Sequence, residues 1–418
     1  MILLLKAVNV VPMNEETILE NRDVLIDNNQ IVKIGQNIDQ PGARILDCRG
    51  KYAMPGLWDM HTHTNNAKCL NLNLANGVTS VRNMCGSPAI LKRRDEIDAG
   101  KRTGPSIFST SPLMDSVVIF EGSVIVKTPQ DAINALDQAV KDGYSEIKTY
   151  PNTPREAYFT LMARARKLGL RVVGHANTSI TTDELIESGY YAIEHASILF
   201  TAADGSEENV LKIAHSGMWL TPTLVVVRMM TGCAYENLDP TAVPHNEYAD
   251  EEEKKVWRSM APTIGEIARK RKYDFGELCR LTRVFIQNSD NVLLGTDQAN
   301  PGIIAGFSLH EELDLNVSEL GLTPYQAIRL GTVNAARYYG LSDQTGTVEE
   351  GKQADLLLLD GNPLEDVHNT QKIAAVIKGG VLFDRPALDA LLEESKTMPY
   401  QDHDSYKVGD LADSLKKT

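Results

Sequence analysis

The sequence predicts an α/β chain, with a (β/α)₈ barrel over about residues 54–343 inserted into a small β-sandwich made by the two ends. Three observations predict it. β-rich runs with polar turns occupy both ends, and short apolar runs alternate with helical stretches between them. Residues suited to chemistry sit just after those short runs.

The opening Met1-Ile-Leu-Leu-Leu-Lys6 is apolar for only five residues. It lacks a basic leader and a small-residue cleavage site, so it reads as a strand rather than a signal peptide. Val24-Leu-Ile26 and Ile31-Val-Lys-Ile34 flank Asp27-Asn-Asn-Gln30, a hairpin pattern. The same texture returns late. Gly346-Thr-Val-Glu-Glu-Gly351 leads into Ala354-Asp-Leu-Leu-Leu-Leu359, then Gly361-Asn-Pro363, Ile373-Ala-Ala-Val-Ile-Lys378 and a Gly-Gly turn. Neither end has enough apolar surface to stand alone. Residues 1–53 and 344–395 are therefore expected to pair as one small β domain, with 396–418 as a polar tail.

Between them lie eight short apolar runs: Leu57-Trp58, Val78–Val81, Ser106–Phe108, Glu146-Ile147, Arg171–Val173, Tyr191–Ile193, Trp219-Leu220 and Val292–Leu294. Helical stretches between them end at Gly77, Gly100, Gly143, Gly169, Gly189 and Gly217, where a left-handed cap suits glycine. Pro129 and Pro154 each follow a threonine and open a helical stretch. Such alternation argues for parallel strands with chemistry at their C-terminal ends. The charged stretch from about 244 to 288 is expected to be helical, either walling the barrel mouth or forming a peripheral helix pair.

Composition narrows the function. The 42 basic and 56 acidic side chains give −14, which disfavours nucleic acid or an anionic membrane as the main partner. No apolar run approaches the roughly 20 residues of a membrane helix. Cys48, Cys69, Cys85, Cys233 and Cys279 are odd in number and scattered, with no C-x-x-C pair, which fits a reducing cytoplasm. A small-molecule substrate is the expected partner, and self-association is left open.

The chemistry is carried by the residues that close the apolar runs. The first ends in Asp59-Met-His61-Thr-His63, the fourth in Lys148, and the fifth in His175. The sixth ends in Glu194-His195 and the eighth in Gly295-Thr-Asp297. Residues two apart in a strand share a side, so His61 and His63 can aim at one point. Imidazole and carboxylate suit zinc and related divalent ions. Each residue alone has a bland reading. A lone histidine is usually a structural hydrogen-bonding group, a lysine after a strand is usually a surface charge, and an aspartate can cap a helix. Six such residues at the ends of predicted strands are hard to produce by chance.

The pattern resembles the amidohydrolase superfamily, in its imidazolonepropionase-like and prolidase-like branch. Met54-Pro-Gly-Leu-Trp-Asp-Met-His-Thr-His63 is similar to its first-strand signature, and Ile147-Lys-Thr-Tyr150 to its lysine motif. Gly174-His175, Glu194-His195, Thr296-Asp297, Ala335-Ala-Arg337, Gly340-Leu341 and Gly351-Lys-Gln-Ala-Asp355-Leu356 are similar to its later motifs. The resemblance spans nearly the whole chain except the last twenty or so residues.

It implies a TIM-barrel enzyme with two divalent metal ions, zinc by preference. His61, His63 and Asp297 would bind the first ion, His175 and His195 the second, and a carbamate on Lys148 would bridge them. The implied reaction is attack of a metal-bridging hydroxide on the amide of an N-acyl amino acid or dipeptide, with Asp297 as general acid and base. No serine or cysteine nucleophile is required, so Ser179 and Cys85 need no catalytic role. A cyclic amide, a urea, or an ester or lactone would use the same site. A non-catalytic scaffold is the alternative from another class, and the complete set of ligand positions counts against it.

Three further residues are candidates for substrate binding. Tyr150 lies two residues after Lys148, where many prolidase-like relatives carry glycine-rich sequence. Arg228 comes after the seventh run and could bind a carboxylate, and His310 is a candidate for the pocket wall.

Overall fold

The computed structural model describes residues 2–63, 66–119 and 122–399. Strands β1 (Ile2–Val10), β2 (Leu19–Asp27), β3 (Gln30–Gly35), β4 (Arg44–Asp47) and β5 (Tyr52–Pro55) come first. The predicted hairpin is β2 and β3, paired antiparallel about Asn28-Asn29. The middle begins with β6 (Leu57–Thr62), α1 (Ala67–Ala75), β7 (Val78–Asn83), α2 (Pro88–Asp98) and β8 (Ser106–Ser109). It continues with β9 (Met114–Asp115), β10 (Val124–Ile125), α3 (Pro129–Lys141), β11 (Glu146–Thr149), α4 (Arg155–Leu168) and β12 (Arg171–Gly174). Next come α5 (Thr182–Ser188), β13 (Ala192–Glu194), α6 (Ala196–Ala202), α7 (Glu207–His215), β14 (Trp219–Thr221) and α8 (Leu224–Tyr235). Five helices come after these: α9 (Glu251–Arg271), α10 (Phe275–Asn288), α11 (Phe307–Ser318), α12 (Pro324–Leu330) and α13 (Val333–Tyr339). The chain closes with β15 (Leu356–Leu359), β16 (Ile373–Lys378), β17 (Val381–Asp384) and α14 (Arg385–Thr397). The predicted tail begins inside α14, and its part from 400 onward lies outside the described residues.

The two ends of the chain do pair. They form one mixed sheet of eight strands, ordered β17-β16-β15-β5-β1-β2-β3, with β4 added on β1. β1 lies along β2 on one edge, while its other edge takes β4 at Leu3–Lys6 and β5 at Asn9–Val10. The antiparallel β5–β15 pair, with Pro55 opposite Leu356, ties residues 301 positions apart. Leu3, Leu5, Val24, Ile26, Leu356, Leu358 and Ile377 fill its core.

The middle is α/β with parallel strands. β6-β7-β8 form one sheet and β10-β9-β11-β12-β13-β14 another. Seven of the eight predicted runs are strands. The eighth, Val292–Leu294, is a correction: it makes isolated parallel bridges, Leu220 to Val292 and Thr62 to Gln298, rather than a ladder. The physical reason lies in Asp59, whose carboxylate accepts from Thr296 N at 3.0 Å and Thr296 Oγ1 at 2.6 Å. A side chain has taken ladder positions there. The segment still joins both neighbours, because Leu293 N donates to Leu220 O and Met60 N to Leu294 O. At the other gap, Ser111 N donates to Glu146 O.

All six glycines expected at helix ends have φ between 66° and 85°. Thr128 caps α3 with Pro129 in its first turn, as read from the sequence, whereas Pro154 is the cap residue before α4 rather than its first helical residue. The 244–288 stretch divides into two roles. Tyr248 and Trp257 pack on Cys69 and Leu72 of α1 and on Ile304 and Ala305, with Glu253 3.5 Å from Lys68. α10 instead joins the outer helical layer through Leu278 and Cys279. Among the described residues no helix is long and apolar enough to cross a membrane.

Candidate metal centre

The strand ends bring the predicted ligands together. His61 is the next-to-last residue of β6 and His63 comes just after the strand, and Asp297 is fixed to them through its backbone N–H, which donates to His61 O at 2.8 Å. Gly295 is required here, because a Cβ would lie 2.9 Å from His61 N. Ile147 packs outward among the helices, so Glu146 and Lys148 face the inner side of β11. Gly174 then lets β12 pass the lysine stem, since a Cβ there would lie 2.9 Å from Lys148 Cδ and 2.4 Å from Thr149 O.

The donor spacings fit one cation. His61 Nε2 lies 3.3 Å from His63 Nε2 and 3.4 Å from Asp297 Oδ1, and His63 Nε2 lies 2.9 Å from that oxygen. Ligands at about 2.0–2.1 Å on a tetrahedral zinc stand about 3.3 Å apart. His195 adds a fourth side chain: His61, His195 and Asp297 each offer an atom within 4.8 Å of the others. The His175 and His195 rings meet edge to face, 4.9 Å between centroids.

Backbone strain collects at the same place. His195, Thr223 and Asp297 have φ of 74°, 47° and 62°. A β-branched threonine there is a true outlier, and such residues cost about 1–3 kcal/mol each. Buried Glu312 holds Thr223 in place by accepting from Leu224 N at 2.9 Å and Val225 N at 2.7 Å, capping α8 from outside. Thr223 Oγ1 in turn lies 2.8 Å from His195 Nδ1.

Burial keeps His61, His175 and His195 neutral and lowers the Lys148 amine, while Asp297 keeps His63 charged. Burial, then the nearby Lys148 charge, holds His61 well below the usual histidine range. Burial, then His195, does the same to His175, and burial brings His195 down to about 4. Burial also pushes Asp297 up, but His195, His61 and His63 outweigh it and keep its carboxyl well below the usual range. His63 goes the other way, to about 9, because its contact with Asp297 overcomes burial. Lys148 is pushed down to about 8 by burial.

The test of fit is what these groups lack. Among the described residues Lys148 Nζ and His175 Nε2 are buried with no hydrogen-bond partner. Buried polar atoms are nearly always satisfied, so two such orphans beside three convergent ligands fit a divalent cation.

Of the weaker candidates, Tyr150 is at the site, its ring stacked on His175 at 4.0 Å. Arg228 is not brought there. Its side chain is 46% exposed, 3.6 Å from Glu236 and over the Phe275 ring. His310 is buried elsewhere, with Nδ1 2.9 Å from Thr370 Oγ1 and Nε2 3.0 Å from Asn76 O, so both ring nitrogens are used.

Sequence reasoning missed the supporting groups. Glu194 Oε2 lies 2.8 Å from His61 Nδ1, and Arg82 Nη1 donates to Glu194 Oε1 at 2.8 Å. Burial raises the Glu194 carboxyl, yet the Arg82 and Lys148 charges leave it lowered. The Glu194-His195 pair was visible in the sequence; nothing marked Arg82 beyond being a charge just after the predicted run Val78–Val81.

Comparison with known proteins gives the family. The profile described as Amidohydrolase family matches residues 52–383. An ochratoxinase of Aspergillus niger is 24% identical, over 90% of this chain and 86% of its own. An imidazolonepropionase of Thermoplasma volcanium is 24% identical, over 89% of this chain and 93% of its own. The crystal structure of a Bifidobacterium longum protein assigned as a prolidase is 25% identical with TM-score 0.74, over 94% of this chain and 98% of that one. With parallel strands, convergent histidines and a profile match across most of its length, the chain belongs to the amidohydrolase family of hydrolases acting on carbon–nitrogen bonds.

Proposed function

We propose that this chain is a binuclear metal-dependent amidohydrolase that cleaves the amide of an N-acyl amino acid or dipeptide. The observation that carries the proposal is the buried, unpartnered Lys148 amine beside the histidines. An ammonium next to two dications would be repelled, whereas a neutral amine can take up carbon dioxide and offer two anionic oxygens. The resemblance to a prolidase-like structure and an ochratoxinase supports the substrate class.

In this reading His61, His63 and Asp297 would hold one zinc ion, His175 and His195 would hold the other, and a carbamylated Lys148 would supply anionic oxygen ligands. When bound, the ions polarise the scissile carbonyl and lower the pKa of water to about 7. The chain's own residues do the rest. Asp297, held as a carboxylate, accepts the proton of the attacking water and delivers it to the leaving amine. Glu194 would hold the His61 ring from its Nδ1 side. Tyr150 walls the second half of the site beside His175.

The proposed architecture is a closed (β/α)₈ barrel of residues 54–343 inserted into a β-sandwich of 1–53 and 344–395. The bonds at both gaps between the parallel sheets, and the fork of the end sheet at β1, support it. A cytoplasmic setting is proposed from five cysteines that are odd in number and scattered, with no C-x-x-C pair.

The test is direct. Protein stripped with a chelator and reloaded with zinc should hold about two equivalents per chain and hydrolyse members of a dipeptide and N-acyl amino acid library. Absence of bound metal points to a scaffold. Activity confined to cyclic amides, ureas, esters or lactones replaces the proposed substrate class.

A further inference from the structure

A chain of charged groups runs through the core from His61. Glu194 Oε2 takes the His61 Nδ1 side at 2.8 Å, and Glu194 Oε1 accepts from Arg82 Nη1 at 2.8 Å. Arg82 also meets Glu146, with Nε 3.3 Å from Oε2 and Nη2 3.4 Å from Oε1. Glu146, the first residue of β11, accepts further from Tyr338 and from Tyr339, the latter at 2.9 Å. Arg82 Nη2 also donates to Tyr338 Oη at 2.9 Å. Arg82, Glu194 and Glu146 are all buried.

We infer that Glu194 and Arg82 are positioning residues for the metal ligand His61, anchored by Glu146 and the tyrosine pair at the end of α13. The inference rests on the proposed metal site. A carboxylate against Nδ1 keeps the imidazole proton there, which leaves the Nε2 lone pair free toward His63 and Asp297. A carboxylate in a dry core needs a counter-charge, and Arg82 supplies it. A guanidinium buried that deeply needs more than one acceptor, and Glu146 provides the second. Two carboxylates against one guanidinium leave this cluster with one net negative charge, and Glu194 is the member that faces His61. Tyr338 and Tyr339 then occupy the remaining Glu146 lone pairs, so the last helix of the middle region steadies a ligand on its first strand.

Zinc affinity, measured by competition with a chromophoric chelator, tests this on Glu194→Gln, Glu146→Gln and Tyr339→Phe. Glu194→Gln is expected to weaken zinc binding about 10–100-fold, the range for groups behind metal ligands. Glu146→Gln should weaken it in the same direction by a smaller factor, and Tyr339→Phe by less again. The downfield imidazole N–H proton of the zinc-loaded protein should shift or vanish in Glu194→Gln. Leu358→Ala, in the separate core of the end sheet, controls for lost stability and should leave affinity within about twofold. If Glu194→Gln does not fold, the other two variants decide. Wild-type affinity in all folded variants overturns the inference while the metal site stands. A wild type that binds no zinc overturns both.

Discussion

Replacing Lys148 by Met should stabilise the metal-free protein at neutral pH. The amine is fully buried and lacks a hydrogen-bond partner, and burial lowers it from its ordinary 10.5 to about 8. At about 1.36 kcal/mol for each tenfold change in proton affinity, holding the charged amine in the fold costs about 3 kcal/mol. Below pH about 8 the amine is charged in both folded and unfolded chains and the cost is present in full. Above about 10.5 it is neutral in both and the cost is gone. The metal-free wild type therefore gains stability between those values, and the Met variant lacks that gain. Met has similar length and no charge, so packing around Gly174 is kept. That lowered value already includes the lysine's attraction for Glu194 and Asp297, so the expected benefit is about 2–3 kcal/mol. For 418 residues at about 2.1 cal/mol/K each, this raises the melting midpoint by about 2–3 °C. Thermal melts with excess chelator at pH 7 and 10.5 provide the assay. A Met variant that melts below the wild type at pH 7, or a gap unchanged at pH 10.5, refutes the reasoning. Zinc should stabilise the wild type and have much less effect on the variant.

Asp297→Asn, assayed at full zinc occupancy, should lower kcat about 10²–10⁴-fold with little change in KM; an unchanged kcat removes Asp297 from proton transfer. Arg228→Ala should leave kcat/KM within about twofold, since its guanidinium faces Glu236 and Phe275. A tenfold rise in KM would return it to the substrate site. Glu312→Gln should flatten the pH dependence of stability. Burial raises this carboxyl from 4.5 to about 8, so the wild type is most stable below about 4.5 and loses stability as pH rises through 8. Melts at pH 6 and 9 with equal wild-type and variant slopes would contradict that.

Much of this was written into local sequence. The hairpin about Asn28-Asn29, the glycine stops and the H-x-H at the end of β6 need only neighbouring residues to define them, because turn geometry and strand period act over a few positions. The six ligand candidates were legible for the same reason: each ends an apolar run. Three features were not. Val292–Leu294 has the composition of a strand, but Asp59, far away in sequence, supplies ladder acceptors that its neighbours cannot. Arg228 and His310 carry suitable groups, yet helix rotation sent one to solvent and the other between Thr370 and Asn76. The Arg82–Glu194–Glu146 cluster draws on β7, β13 and β11, so no window of sequence contains it. Sequence by itself determined the periodicity, the turns and the inventory of candidate ligands. Only tertiary structure decided which charges meet in the dry core, because that depends on burial and on distances between strands that the chain order does not encode.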